Sequence, residues 1–223
     1  MGKFTATYTY NLDFIRNTES EDYWYIAGML AADGYISDSE IELCLATIDK
    51  HIIEDIRDIM CFDKPIYTRK NQGTGAFMLK LNNVEMVKHF KQLFSMETNK
   101  KHEELIFPRV PDKYLKDFVR GYFDGDGGID STKAYQTVNG EKKVYIGPRI
   151  RILGNQKFLT SLLDEVRKQV PNKTFAVSKK GKENVYYITY NFSTAKEFLK
   201  WMYKDSPNLF LNRKRERSIE VCT

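Results

Sequence analysis

The chain of 223 residues predicts an α+β fold in which two pseudo-symmetric αββαββα units pack through a pair of matched helices. Three observations predict it. A series of segments occurs twice at a spacing of roughly a hundred residues, too long for a solenoid repeat. Two helix-like segments at equivalent places in the two series each end in Asp-Gly. Short runs rich in Val, Ile, Tyr and Thr, bounded by turn residues, alternate with apolar residues at three-to-four spacing.

The first series runs "WYIAGMLAADGYI", "IELCLATIDKHIIEDIRDIM", "KPIYTRK", "AFMLKLN" and "NVEMVKHFKQLF"; the second runs "DFVRGYFDGDGGI", "PRIRILGNQKFLTSLLDEV", "NKTFAVSKK", "VYYITYN" and "STAKEFLKWMY". Each reads as helix, two strands, helix, two strands, helix. Asp49 and Asn155 are residues of the capping type at the start of the central helices. "TNKKHEE" (98–104) lines up with "LNRKRER" (211–217) beyond the last helix of each series. These limits divide the chain into an N-terminal extension (1–21), a first unit (22–104), a linker (105–112) and a second unit with a basic C-terminal tail (113–223). The linker contains "LIFPRVP", whose prolines block helix continuation.

Hydrophobic content of 42% and charged content of 29% are those of a globular chain with a sizeable core. No apolar run approaches the roughly 20 residues of a membrane span, and "MGKFTATYTYNLDFIRNTESED" lacks the apolar core of a signal peptide. Ala6 stands where a myristoylation motif wants Ser or Thr. The expected location is intracellular, in bacterial cytoplasm (phage-encoded genes included) or an organelle, with no membrane partner. Cys44, Cys61 and Cys222 lack the spacing of a disulfide framework or zinc site, and Cys44 and Cys61 read as buried thiols. His51, His89 and His102 are equally dispersed. The net charge of +5 is unevenly spread: −4 over residues 1–100 and +9 over residues 101–223. A basic second unit is the electrostatic footprint expected of a polyanion binder.

Superposing "IAGMLAADG" (26–34) on "VRGYFDGDG" (119–127) aligns Asp33 with Asp126. Small residues recur four apart on each segment, Ala27 and Ala31 or Gly28 and Ala32 against Gly121 and Gly125. Four-apart residues share a helix face, and small ones let two helices approach closely. If the helices run parallel, both aspartates arrive at one place. Carboxylates there sit at the negative ends of two helix dipoles, so one must be protonated or a cation must lie between them. Mg2+ suits such a pair, because it takes one or two carboxylates and keeps waters and phosphate oxygens as its other ligands. Carboxylates, metal and a basic protein together point to phosphodiester hydrolysis. "DGDGGID" fails as a calcium loop, since Ile129 and Tyr135 occupy the glycine and terminal glutamate places counted from Asp124, and no phosphate-binding GxxxxGK exists.

"IAGMLAADG" and "VRGYFDGDG" resemble the paired motifs of LAGLIDADG homing endonucleases in their single-chain form, over roughly residues 22 to 217. The resemblance implies a monomeric, metal-dependent endonuclease that cleaves double-stranded DNA at a long asymmetric site. It implies that Asp33 and Asp126, with Gly34 and Gly127 beside them, hold the metals. Mg2+ is expected, with Mn2+ as a substitute and Ca2+ binding without cleavage. Ala27, Gly28, Ala31, Gly121 and Gly125 are then the helix interface. The earlier acidic place of the motif is Asp124 in the second copy and Ala31 in the first, a departure at a position that braces the helix. A lysine near each metal site helps polarise the attacking water, and the alignment of "NKK" with "NRK" puts Lys101 and Lys214 there.

The resemblance also implies antiparallel sheets that saddle the DNA major groove. Asn139-Gly140 is a strong short hairpin signal, with Lys142 and Lys143 beside it. Arg149 and Arg151, two apart, share a strand face, and Lys179, Lys180 and Lys182 sit on a second hairpin. Arg69, Lys70, Gln72 and Lys80 are their counterparts in the first unit. The chain starts at Met1 and ends in "EVCT", without splicing blocks, so a free-standing or intron-encoded enzyme is expected over a splicing insert. The alternative is a non-cleaving binder of the same fold, an RNA maturase on intron RNA or a DNA-binding regulator.

Overall fold

A computed structural model describes residues 7–70, 75–96, 105–170, 176–181 and 184–223, with Lys70 described by its backbone alone. Its first unit contains α2 (Glu21–Asp33), β1 (Gly34–Ile36), β2 (Ile41–Ala46), α3 (Lys50–Cys61), β3 (Ile66–Lys70), β4 (Gly75–Leu81) and α4 (Val84–Phe94). The second contains α5 (Leu115–Asp126), β5 (Gly127–Val138), β6 (Glu141–Gly154), α6 (Gln156–Gln169), β7 (Ser178–Lys179), β8 (Tyr186–Asn191) and α7 (Phe192–Met202), followed by α8 (Asn212–Cys222). A short α1 (Asp13–Arg16) precedes them. The two antiparallel sheets have the same order, β1-β2-β4-β3 and β5-β6-β8-β7. The α+β class and the doubled helix-strand pattern are those read from the sequence.

Three helices start where a side chain satisfies a first amide. Ser20 accepts from Tyr23 N, Asn83 from Met86 N and Asn155 from Phe158 N, and at the start of α7 Thr194 Oγ1 accepts from Asn191 N. Asp49 does not do the same: its side chain makes no cap bond to α3, because it is paired across the molecule with Arg213.

α2 and α5 form the centre. From Tyr23 to Ala32 every residue of α2 is buried, as expected of a helix surrounded by protein on all sides. The two helices run side by side and parallel with backbones almost touching. A Cβ on Gly28 would lie 2.1 Å from Phe118 O, and one on Gly121 would lie 2.0 Å from Tyr25 O. Only glycine fits at either place. One turn further on, a Cβ on Gly125 would lie 2.3 Å from that of Ala32. The seam therefore runs through Gly28, Ala32, Gly121 and Gly125. Ala27 and Ala31 are buried in the surrounding core.

Each sheet turns one face to the helices, carrying Leu43, Leu45, Leu79 and Leu81 in the first unit and Ile150, Ile152 and Ile188 in the second. The hairpins differ in length. β1 is three residues long, whereas β5 and β6 pair without interruption from Gly127↔Ile152 to Val138↔Glu141. Asn139 (φ 54°) and Gly140 (φ 83°) close that hairpin, both left-handed as a two-residue I′ turn requires. The segment before α2 is tied to the end of α3: Asn11 N donates to Met60 O at 2.9 Å, and the Lys64 ammonium lies 4.0 Å from the Tyr8 ring.

Candidate metal and nucleic-acid site

The parallel seam brings the ends of α2 and α5, and hence Asp33 and Asp126, to one place. Asp33 is exposed and Asp126 half-buried. The Oδ2 atom of Asp33 is 3.0 Å from where a Cβ on Gly125 would stand, so its carboxylate lies against the last turn of α5. Both carboxylates act on one buried group, the Tyr122 hydroxyl, which donates to Leu153 O at 2.9 Å. Burial, then the charges of Asp126 and Asp33, hold that hydroxyl well above its ordinary pKa. β1 and β5 start at Gly34 and Gly127, so each sheet begins at its own aspartate.

The two helix ends differ in the residue two places before the aspartate. Behind Asp126 is Asp124, fully buried, which accepts from Tyr25 OH and from Leu211 N, both at 2.8 Å. Burial raises its carboxyl to about 6 against the pull of Lys214, these two donors and Arg120. Ala31 holds the matching place in α2, and nothing there needs a partner. Lys214, 6% exposed, donates to the carbonyls of Phe123, Asp124 and Gly127 at 2.7, 2.6 and 2.7 Å. An ammonium has three hydrogens, and all three are spent on the carbonyl end of α5, where positive charge is favoured. Burial lowers Lys214 to about 8, opposed by Asp124 and other carboxylates. Lys214 thus reaches the Asp126 end of α5 as a clamp on the backbone. Gly127, expected beside the metal, has its carbonyl engaged by that clamp.

Arg213, next in the chain, makes a fork on Asp49 with three contacts of 2.9 to 3.1 Å and so joins α8 to the first unit. That pair and the Tyr25–Asp124 bond escaped sequence reasoning, because their partners are 164 and 99 residues apart. A local signal did exist for another pair, the fully buried Asp117 and Arg120, spaced i,i+3 and 2.9 Å apart. Arg213, Lys214 and Arg217 with Gly127, Gly128 and Ile129 line a cleft of about 380 Å³ that starts one residue after Asp126; Arg213 is paired with Asp49 and Arg217 with Glu220.

Fit to a divalent cation follows from the donor set. Among the described residues no three His, Cys, Asp or Glu side chains gather into a self-sufficient cation cage. A pair of carboxylates at two negative helix ends suits Mg2+, which leaves most of its coordination to waters and phosphate oxygens.

The outer faces of the sheets, away from the helices, carry most of the basic candidates. In the second sheet Arg149 and Arg151 do share a face, and both hold Asp130. Arg149 binds it through Nε and Nη2 at 2.7 and 2.9 Å, and Arg151 through Nη2 at 2.7 Å. These bonds hold Asp130 below the usual carboxylate range. Lys143, opposite Gln136, shares that face, whereas Lys142, opposite Thr137, points the other way. Lys179 and Lys180 line a cleft of about 490 Å³ with Asp130, Arg151 and Tyr187. In the first sheet Arg69 is exposed on β3 and Lys70 closes that strand opposite Gly75. Lys80 is drawn between Glu40 and Glu42, 3.1 Å from each. Cys44, read from sequence as a buried thiol, is only half-buried and lies on the same outer face; Cys61 is buried as expected. Gln72, Lys101 and Lys182 lie outside the described residues.

No family model matches the chain. Among curated proteins it is similar to two probable translation initiation factors IF-2 and a DNA polymerase. Identity is 26% over 117 residues (50% of this chain) to the Thermococcus kodakarensis factor, and 21% over 184 residues (77%) to the factor of Methanocaldococcus jannaschii. The DNA polymerase of the latter organism is 25% identical over 155 residues, 69% of this chain. The chain spans only 10%, 15% and 8% of the lengths of these proteins. Solved structures match over nearly the whole chain. The I-LtrWI LAGLIDADG homing endonuclease bound to target DNA aligns with TM-score 0.58 and 12% identity, covering 95% of this chain and 90% of that one. I-SmaMI bound to an uncleaved DNA target with calcium ions gives 0.59 and 8%, covering 89% and 90%. The LAGLIDADG meganuclease I-AabMI bound to uncleaved DNA gives 0.57 and 13%, covering 89% of each chain. No helix among the described residues is long and apolar enough to cross a membrane. Two sheets of one strand order, joined through glycine-packed helices that end in paired aspartates, give this chain the fold of the single-chain LAGLIDADG homing endonucleases.

Proposed function

We propose that the protein is a site-specific endonuclease of double-stranded DNA, acting as a monomer with a divalent metal, Mg2+ foremost. The observation that carries this reading is the convergence of Asp33 and Asp126 at the start of two open sheets, one of them strongly basic. The carboxylates of Asp33 and Asp126 would hold the metal, and a bound metal supplies activation of water and stabilisation of the leaving oxygen. The chain's own residues do the rest. The Gly28–Gly121 seam fixes the distance between the carboxylates, Asp124 anchors α5 to Tyr25 and to Leu211, and Lys214 holds the α5 carbonyls. Arg213 and Arg217 line the cleft next to Gly127, and their remaining N–H groups can meet a phosphate there. Lys143, Arg149, Arg151, Lys179 and Lys180 on the second unit, with Arg69 on the first, serve groove binding, mostly through phosphates.

The curated relatives carry the names of proteins with different activities, and the shared segment is a small part of each. That pattern supports a module whose activity is its own. A non-cleaving binder of intron RNA or DNA would not need both aspartates at the seam.

The test is selection of cleavable duplexes from a DNA library in Mg2+, followed by binding and cleavage of the selected site. Cleavage that stops with EDTA is expected. Tight binding of a selected duplex with no cleavage in Mg2+ or Mn2+ would overturn the nuclease reading and favour the binder.

A further inference from the structure

Pairing register assigns each side chain to a face, and the outer faces of the two sheets differ in chemistry. In the first sheet one row across the strands is Tyr35–Glu42–Lys80 and the next is Cys44–Met78–Tyr67. Lys80 is offset by Glu40 and Glu42, so the first row carries no spare positive charge. The second row is a thiol, a thioether and an aromatic ring, with Tyr67 44% exposed. In the second sheet the rows are Gly128–Arg151–Thr189 and Asp130–Arg149–Asn191. Asp130 holds both guanidiniums in place and leaves them further N–H groups, since each has five donors. Beside them, nothing lies within 4 Å of where a Cβ on Gly128 would stand.

We infer that the two sheets read different base chemistry in the major groove: the first reads thymine methyl groups through Cys44, Met78 and Tyr67, and the second reads guanine through Arg149 and Arg151. The inference rests on the groove-binding reading above. In the major groove thymine alone presents a methyl group, which apolar side chains contact, and guanine presents the two acceptors that a guanidinium fork matches. Asp130 strengthens that match by fixing the forks before DNA arrives, so less side-chain freedom is lost on binding. The charge split has the same sense: −4 over residues 1–100 and +9 over 101–223. The second unit supplies most of the electrostatic attraction, Arg69 adds to it from the edge of the first sheet, and the first unit otherwise adds shape and apolar contact.

The experiment uses wild-type protein and a duplex selected for binding in EDTA from a random library. Uracil is substituted for thymine, removing only the methyl group, in one half of the site at a time. Separately, 7-deazaguanine replaces guanine, removing only the N7 acceptor. Uracil is expected to weaken binding about fourfold for each contacted methyl in one half of the site alone. Deazaguanine is expected to weaken it about tenfold or more in the opposite half alone. Arg151→Ala then identifies the guanine half, through lost preference at one or two positions there. Uracil and deazaguanine effects in the same half, or spread over both, would overturn this inference while leaving groove binding intact. So would altered preference on the thymine side in Arg151→Ala. A library yielding no bound duplex would overturn the groove-binding reading itself, and this inference with it.

Discussion

α2 and α5 occupy equivalent places, end in the same Asp-Gly and touch along one seam, yet α5 carries a buried carboxylate, Asp124, where α2 has Ala31. At the end of α5, Asp124 is bonded to Tyr25 and Leu211, and Lys214 gathers three carbonyls. At the matching place in α2 stands Ala31. What the halves share is what the proposed chemistry needs, namely a close helix crossing and a carboxylate about one turn beyond it. Where they differ, the second unit adds buried charge inside, at Asp124 and Lys214, and basic residues outside.

The seam should be the most sensitive shared feature. Gly28→Val or Gly121→Val would drive side-chain atoms into backbone of the other helix, and each should cost about 3 kcal/mol or more in chemical denaturation. Gly128→Ala, with open space around it, should be neutral in the same assay. A tolerated Gly28→Val would break the description of the crossing.

The clamp comes next. Lys214→Met leaves three carbonyls without their charged partner and should destabilise by about 2–4 kcal/mol; Lys214→Arg should recover part of this. Arg213→Ala should cost about 2–3 kcal/mol by leaving buried Asp49 unpaired, and Asp49→Asn in the same chain should restore part of it.

Asp124 makes the asymmetry depend on pH. Its folded pKa of about 6 lies above the ordinary value of 3.8, so between these values the folded state holds the proton more tightly than the unfolded. Its contribution is therefore present below about pH 4 and is lost as pH rises through 6. Asp124→Asn removes that change, so the stability of wild type relative to Asp124→Asn should fall between pH 4 and 7. A constant or rising difference would contradict the burial of Asp124.

The smallest effect concerns the sheets. Lys143→Ala should lower the slope of log affinity against log salt by about one. Lys80→Ala should leave the slope unchanged, because Glu40 and Glu42 already offset that lysine. Equal slopes for both variants would dissolve the distinction between basic and neutral sheets.

Backbone architecture was legible because it is written locally: Asn-capped helices, alternating strands, the Asn139-Gly140 turn and the doubled small-residue spacing. That Asp33 and Asp126 meet was legible because two copies of one motif can be laid over each other. The supports were not, since Tyr25, Asp49 and Leu211 meet their partners only across the folded molecule. Lys214 was placed at the right end of the second unit, but its engagement with three carbonyls depends on how α8 docks, which no spacing reveals. Asp49 likewise reads locally as a cap and globally as the partner of Arg213. Charge counts foretold a basic second unit, though not that Asp130 would hold two of its arginines or that two glutamates would hold Lys80.

The central claim is that one carboxylate from each unit builds a single composite site. Its most direct measurement is double-strand cleavage of a selected duplex in Mg2+ by wild type, Asp33→Asn and Asp126→Asn, with binding of the same duplex measured alongside. The expected result is that each variant binds the duplex and neither makes a double-strand break. Double-strand cleavage at the wild-type rate by either variant would contradict it.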